Sequence, residues 1–64
     1  MMFNLYTDNG EHYNIDFNEV CERIEGGIHK GDKFVVDVLQ VGFKQRIIND
    51  IIDYSEFVDE FGEV

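Results

Sequence analysis

The chain has 64 residues, 44% of them hydrophobic and nine aromatic (six Phe and three Tyr), and fourteen Asp and Glu against five Lys and Arg give a net charge of −9. That length suits one domain over 1–64 with a limited core, that apolar content excludes a disordered chain, and that charge argues against direct binding to DNA, RNA or an anionic membrane, which needs clustered cations. No apolar run approaches the roughly 20 residues that span a bilayer, the N-terminus lacks the regions of a signal peptide, and a single cysteine, Cys21, forms no internal disulfide framework, so a reducing cytoplasm is the expected compartment.

In chain order, Met2 to Tyr6 and His12 to Ile15 alternate like strands around the turn signal Asp8-Asn9-Gly10. A two-residue loop would mix apolar and polar side chains on one face. A three-residue loop, Asp8 to Gly10, pairs Leu5 with Tyr13 and Phe3 with Ile15, and gathers Asn4, Tyr6, His12 and Asn14 on the other face, so that register is expected, with Gly10 left-handed. A helix follows from about Phe17 to Glu25, opened by Asp16 with Glu19 three residues on and stopped by Gly26-Gly27. Lys30, Gly31 and Asp32 are the next turn residues. Phe34 to Val41 is β-branched and apolar on both faces, which suits a central strand covered on both sides or buried in an oligomer.

Tyr54, Phe57, Val58 and Phe61 fall at helical spacing, with Asp53 and Glu56 as a capping pair and Gly62 as a left-handed stop. The same pattern occurs 37 residues earlier, where Phe17, Val20, Cys21 and Ile24 take the apolar positions. Between them, Gly42 marks a bend and Arg46 to Ile52 reads as a fourth strand. The expected fold is therefore α+β, a ββαββα chain with an antiparallel sheet and two acidic amphipathic helices. The alternative is ββαβα, in which Ile47, Ile48, Ile51 and Ile52 belong to one long C-terminal helix.

Catalytic and metal chemistry find little support. Asp8 and Glu19 have the spacing of the ends of a calcium loop, but Gly10, His12 and Tyr13 stand where it needs two oxygen ligands and a glycine. Cys21, His12 and His29 share no short ligand spacing. Ser55 has no glycine elbow, and the glycines at 26, 27 and 31 lack a phosphate-loop context. No enzyme activity, cofactor or metal is expected.

Charge is the remaining signal. Residues 1–29 carry −5, residues 30–46 carry +2 and residues 47–64 carry −6, summing to −9. Asp16, Glu19, Glu22 and Glu25 recur every three residues, as do Asp53, Glu56 and Asp59, with Glu60 and Glu63 beyond. Three residues rise roughly 4.5 Å along a helix, comparable with the roughly 3.4 Å between phosphates along one DNA strand. Any one of these acids reads most simply as a solvated helix residue, but −9 exceeds the magnitude of about 2–8 that solubility asks of a small domain. The expected function is thus a small acidic protein-binding module, an inhibitor that mimics nucleic-acid phosphates in the cationic groove of a nucleic-acid-binding protein. Its partner-binding residues would be Glu19, Glu22, Asp53, Glu56, Asp59 and Glu60, with Tyr6 as an aromatic anchor on the exposed sheet face. In size and charge the chain is similar to small inhibitors encoded by phages and mobile elements, a likeness of composition that no motif carries. A reading from another class is a self-associating assembly protein, because Phe34 to Val41 and the four isoleucines exceed what so small a monomer covers. A homodimer would bury them.

Overall fold

The turn at Asp8-Asn9-Gly10 sets the register of the whole sheet. In the computed structural model, which describes residues 2–39 and 42–62, Gly10 has φ +90°, its amide donates to Thr7 O, and the Thr7 amide donates to Glu11 O. The loop is the three-residue one, and β1 (Met2–Thr7) pairs with β2 (His12–Asp16) so that Phe3 faces Ile15 and Leu5 faces Tyr13. The further elements are α1 (Phe17–Ile28), β3 (Phe34–Val38), β4 (Lys44–Ile48) and α2 (Ile51–Phe61). All strand pairs are antiparallel, in the order β2-β1-β3-β4. The architecture is ββαββα.

Helix α1 starts where expected, with Asp16 accepting from the Glu19 amide at 2.9 Å, but Gly26-Gly27 does not stop it. Gly27 lies under the Phe34 ring, where a Cβ would come within 2.5 Å of Phe34 Cζ. It is a contact residue inside the helix. The end comes later, where the amides of Lys30 and Asp32 both donate to Gly27 O and Gly31 turns left-handed at φ +87°.

Strand β4 runs from Lys44 to Ile48, earlier than the expected Arg46 to Ile52, and its pairing with β3 rules out one long helix from Lys44. Asn49 and Asp50 make the connection, and Asp50, not Asp53, is the N-cap of α2. It accepts from the Asp53 amide at 2.9 Å, while the Asp53 carboxylate accepts from the Asn49 amide at 3.2 Å. Gly62 ends the helix in an extended conformation (φ −68°, ψ 150°) rather than a left-handed one. Strand β3 ends at Val38, and the expected continuation at 40 and 41 lies outside the described residues.

Two ββα units thus meet along β1 and β3. The 37-residue offset holds for the apolar faces of the helices, but the caps Asp16 and Asp50 are 34 apart, and the matching strand pairs Phe3 with Phe34 and Leu5 with Val36 are 31 apart.

Both helices pack on one face of the sheet. Phe3, Leu5, Val36, Val38 and Ile48 from the strands meet Val20, Ile24 and Phe57 from the helices. The ring of Phe3 stands edge-on to Phe57 at 6.1 Å, and Phe17 stacks on Phe57 at 5.6 Å. An arginine closes each side of this layer. The Arg23 guanidinium lies 3.8 Å over the Tyr13 ring on β2, and Arg46 on β4 pairs with Glu60 near the Phe61 ring.

The other sheet face is uncovered by the chain itself, so of the two settings expected for β3, covered on both sides or buried in an oligomer, the single chain does not supply the first. Strand pairing orders it into rows. His12, Tyr6, Val35 and Ile47 form one, and Asn14, Asn4, Asp37 and Gln45 form the next. Alternation carries Asp16, Met2, Leu39 and Phe43 into a third. Five large apolar side chains here are exposed: Met2 by 48%, Tyr6 by 36%, Leu39 by 50%, Phe43 by 67% and Ile47 by 59%.

Candidate functional site

The caps decide which acids are left free at the surface. Asp16 and Asp53 are occupied with helix-entry amides. Glu60 is occupied with Arg46, the only ion pair among the described residues. Asp53 and Glu60 also turn toward β4, where they line a groove with Arg46, Ile47 and Glu56. Glu25 faces the seam between the helices, where its carboxylate neighbours Tyr54 and Cys21. Glu63 lies outside the described residues.

Four carboxylates on the helices remain unpaired among the described residues and exposed, Glu19 and Glu22 on α1 and Glu56 and Asp59 on α2, while Asp8 and Glu11, also exposed and unpaired, lie in the connection between β1 and β2. Each pair is spaced by three residues and sits opposite its helix's buried stripe, since residues three apart share a helical face. Because α1 and α2 pack on the same side of the sheet, the two pairs share the outer surface of the helix layer. They also correspond at the 37-residue offset. Of the six acids expected to bind a partner, these four are brought together, whereas Asp53 and Glu60 are turned aside into structural contacts.

Tyr6 is on the exposed sheet face, as expected, but the sheet separates it from all four acids. There it stacks on His12, with ring centroids 4.6 Å apart. Burial against its neighbours, then the Asp37 carboxylate to which its hydroxyl bonds, pushes the Tyr6 phenol above its ordinary value. The large apolar side chain that does stand beside the helix acids is Ile52, 69% exposed and one turn before Glu56 on the same outer face. The sequence reading placed Ile52 in a strand. Only with the cap at Asp50 does its i, i+4 relation to Glu56 become visible.

The seam between the helices holds the chain's one thiol. Burial raises the Cys21 thiol, an effect reduced by its hydrogen bond with Tyr54, and the same burial drives the Tyr54 phenol far upward. This is a protonated, packed pair, and no group of three potential metal ligands occurs among the described residues. No described helix is long and apolar enough to cross a membrane. Comparison with protein-family models, with curated proteins and with solved structures finds no match to this chain.

Proposed function

We propose that the chain is a small acidic protein-binding module, acting without a catalytic step, whose helix layer enters the cationic groove of a nucleic-acid-binding protein in place of phosphates. The observation that carries this reading is the pairing of Glu19 and Glu22 with Glu56 and Asp59, four exposed carboxylates on one surface that no described lysine or arginine neutralises. Each pair spans roughly 4.5 Å of helix axis, close to the roughly 3.4 Å step of a phosphate backbone. Ile52 supplies an apolar contact beside them, and interfaces concentrate their affinity in such anchors. Charge at the surface steers encounter and weakens with salt.

The test is retention of a nucleic-acid-binding protein from a cell extract on the immobilised chain. Release is expected as salt rises from about 0.1 to about 0.5 M, where screening shortens from roughly 10 Å to a few ångströms. The chain should also displace DNA or RNA from the recovered protein. The double reversal Glu56→Lys with Asp59→Lys should weaken that competition about 100-fold, and Ile52→Ala about tenfold, with the circular dichroism spectrum unchanged. Equal competition by the double variant, or a recovered protein with no nucleic-acid site, overturns the reading.

A further inference from the structure

The uncovered sheet face differs in chemistry from the rest of this surface. It holds no lysine or arginine, and its central acid, Asp37, is buried among its neighbours and accepts from Gln45 Nε2 at 3.1 Å. The Asn4 carboxamide beside it is oriented by its oxygen, which meets His12 Nε2 at 3.2 Å and accepts from Asn14 Nδ2 at 3.1 Å. That leaves the Asn4 amide hydrogens without an acceptor among the described residues. An apolar row lies on each side of this polar row.

We propose that this face docks on the same face of a second copy, the two sheets stacked about a two-fold axis that runs along the strands between β1 and β3. Such an axis exchanges the two central strands. Asn4 then stands opposite Asp37 of the partner subunit, which gives its spare amide hydrogens a charged acceptor twice per dimer. Tyr6 meets Val35 of the partner subunit, and Met2 meets Leu39 of the partner subunit. Turning the axis by 90° within the interface would instead set Asp37 against its own copy and bury two like charges. Aligned sheets stack about 10 Å apart with crossing angles near −30°, so these central pairs keep their register better than the edges do.

A second copy fits this face because it brings an Asn4 amide donor to each Asp37 carboxylate and an apolar row to each apolar row. Two chains of −9 repel one another elsewhere, so the helix layers must point away from each other, and back-to-back stacking of the sheets places them at maximum distance. Four strands at about 4.8 Å spacing give a footprint of about 400 Å², below the roughly 800 Å² per partner of a standard interface. The dimer is therefore weak and concentration-dependent.

Its salt dependence runs opposite to that of the helix layer. Association between like-charged copies strengthens several-fold as salt rises and screens the repulsion, whereas binding to a basic groove weakens. Sedimentation equilibrium of the full chain across concentration and salt should show a monomer–dimer exchange of this sign. Ile47→Asp and Leu39→Asp, both at solvent-exposed positions, should each weaken it at least about tenfold, while Glu22→Lys should not weaken it. A species of 7.5 kDa only, at concentrations up to about the millimolar range of weak affinities, overturns the proposal. So does a dimer indifferent to both aspartate variants, or a sheet face that captures a foreign protein while the chain stays monomeric. None of these results touches the proposed role of the helix layer, whose test reads competition with nucleic acid.

Discussion

The two faces of the sheet carry the same kinds of residue and do different things with them. On the covered face, the strand residues alternate into a core closed by two helices, and the acids of those helices point outward or into caps. On the open face, an apolar, a polar and a second apolar row lie side by side, with two acids, Asp16 and Asp37, and no lysine or arginine. A net charge of −9 therefore does not describe a uniformly anionic coat. It is concentrated on the helix layer, while the open sheet face carries only Asp16 and Asp37 among largely apolar and amide side chains.

Neighbouring isoleucines on β4 give the largest test of this contrast. Ile48 is fully buried and Ile47 is 59% exposed, one on each side of the same strand. Ile48→Ala should lower the unfolding free energy by about 2–5 kcal/mol, as for core truncations in general. Ile47→Ala should change it by less than about 0.5 kcal/mol in dilute solution, where nothing covers the open face. Urea denaturation of both variants measures the difference. A comparable loss at Ile47 in dilute solution would mean that the open face is already buried, and the contrast between the faces would collapse.

Much of this division was legible in the residues, because alternation is a strong signal. The register of Phe3 with Ile15 and Leu5 with Tyr13 followed from asking which loop length keeps one face apolar, and the apolar stripes of both helices followed from spacing. The start of α2 did not. Asp50 with Asp53 and Asp53 with Glu56 satisfy the same local capping rule, and what chose between them was the end of β4, a tertiary pairing with β3. The site inherited that error. With the cap at Asp53, the carboxylates of Asp53 and Glu60 look free and Ile52 looks interior. With the cap at Asp50 they become a helix-entry acceptor, an ion-pair partner and an exposed apolar side chain. The glycine pair misled for a related reason, since a breaker signal cannot report that an aromatic ring needs the missing Cβ.

Gly26 and Gly27 repeat the inside–outside contrast on α1, at smaller amplitude. A Cβ on Gly26 would meet nothing within 4 Å, so Gly26→Ala should raise stability by about 0.5–1 kcal/mol through helix propensity alone. A Cβ on Gly27 would press on the buried Phe34 ring and on Asp32 Oδ2 at 3.0 Å. Overpacking costs about 1–3 kcal/mol, which outweighs the propensity gain. Gly27→Ala should therefore come out destabilised by about 1 kcal/mol, and thermal melts of the two variants should move in opposite directions. Stabilisation by both would mean that α1 does not rest on Phe34.

The smallest expected effect sits at the seam that joins the two helices. Burial keeps the Cys21 thiol and the Tyr54 phenol protonated in the fold at pH values where the unfolded chain already ionises them. With both folded values raised, the unfolded state holds fewer protons as pH climbs. The stability that this contributes is complete below the ordinary thiol value of about 8.5 and is lost as pH passes through the raised ones. The melting temperature should accordingly show no seam-dependent change between about pH 6 and 8 and begin to fall near pH 9. In Cys21→Ala the first part of that fall should vanish, leaving a decline that starts only above about pH 10, where unfolded tyrosine ionises. An identical alkaline onset in that variant would mean that the thiol is not held in the contact between α1 and α2, and the packing that sets both acidic pairs on one surface would have to be redrawn.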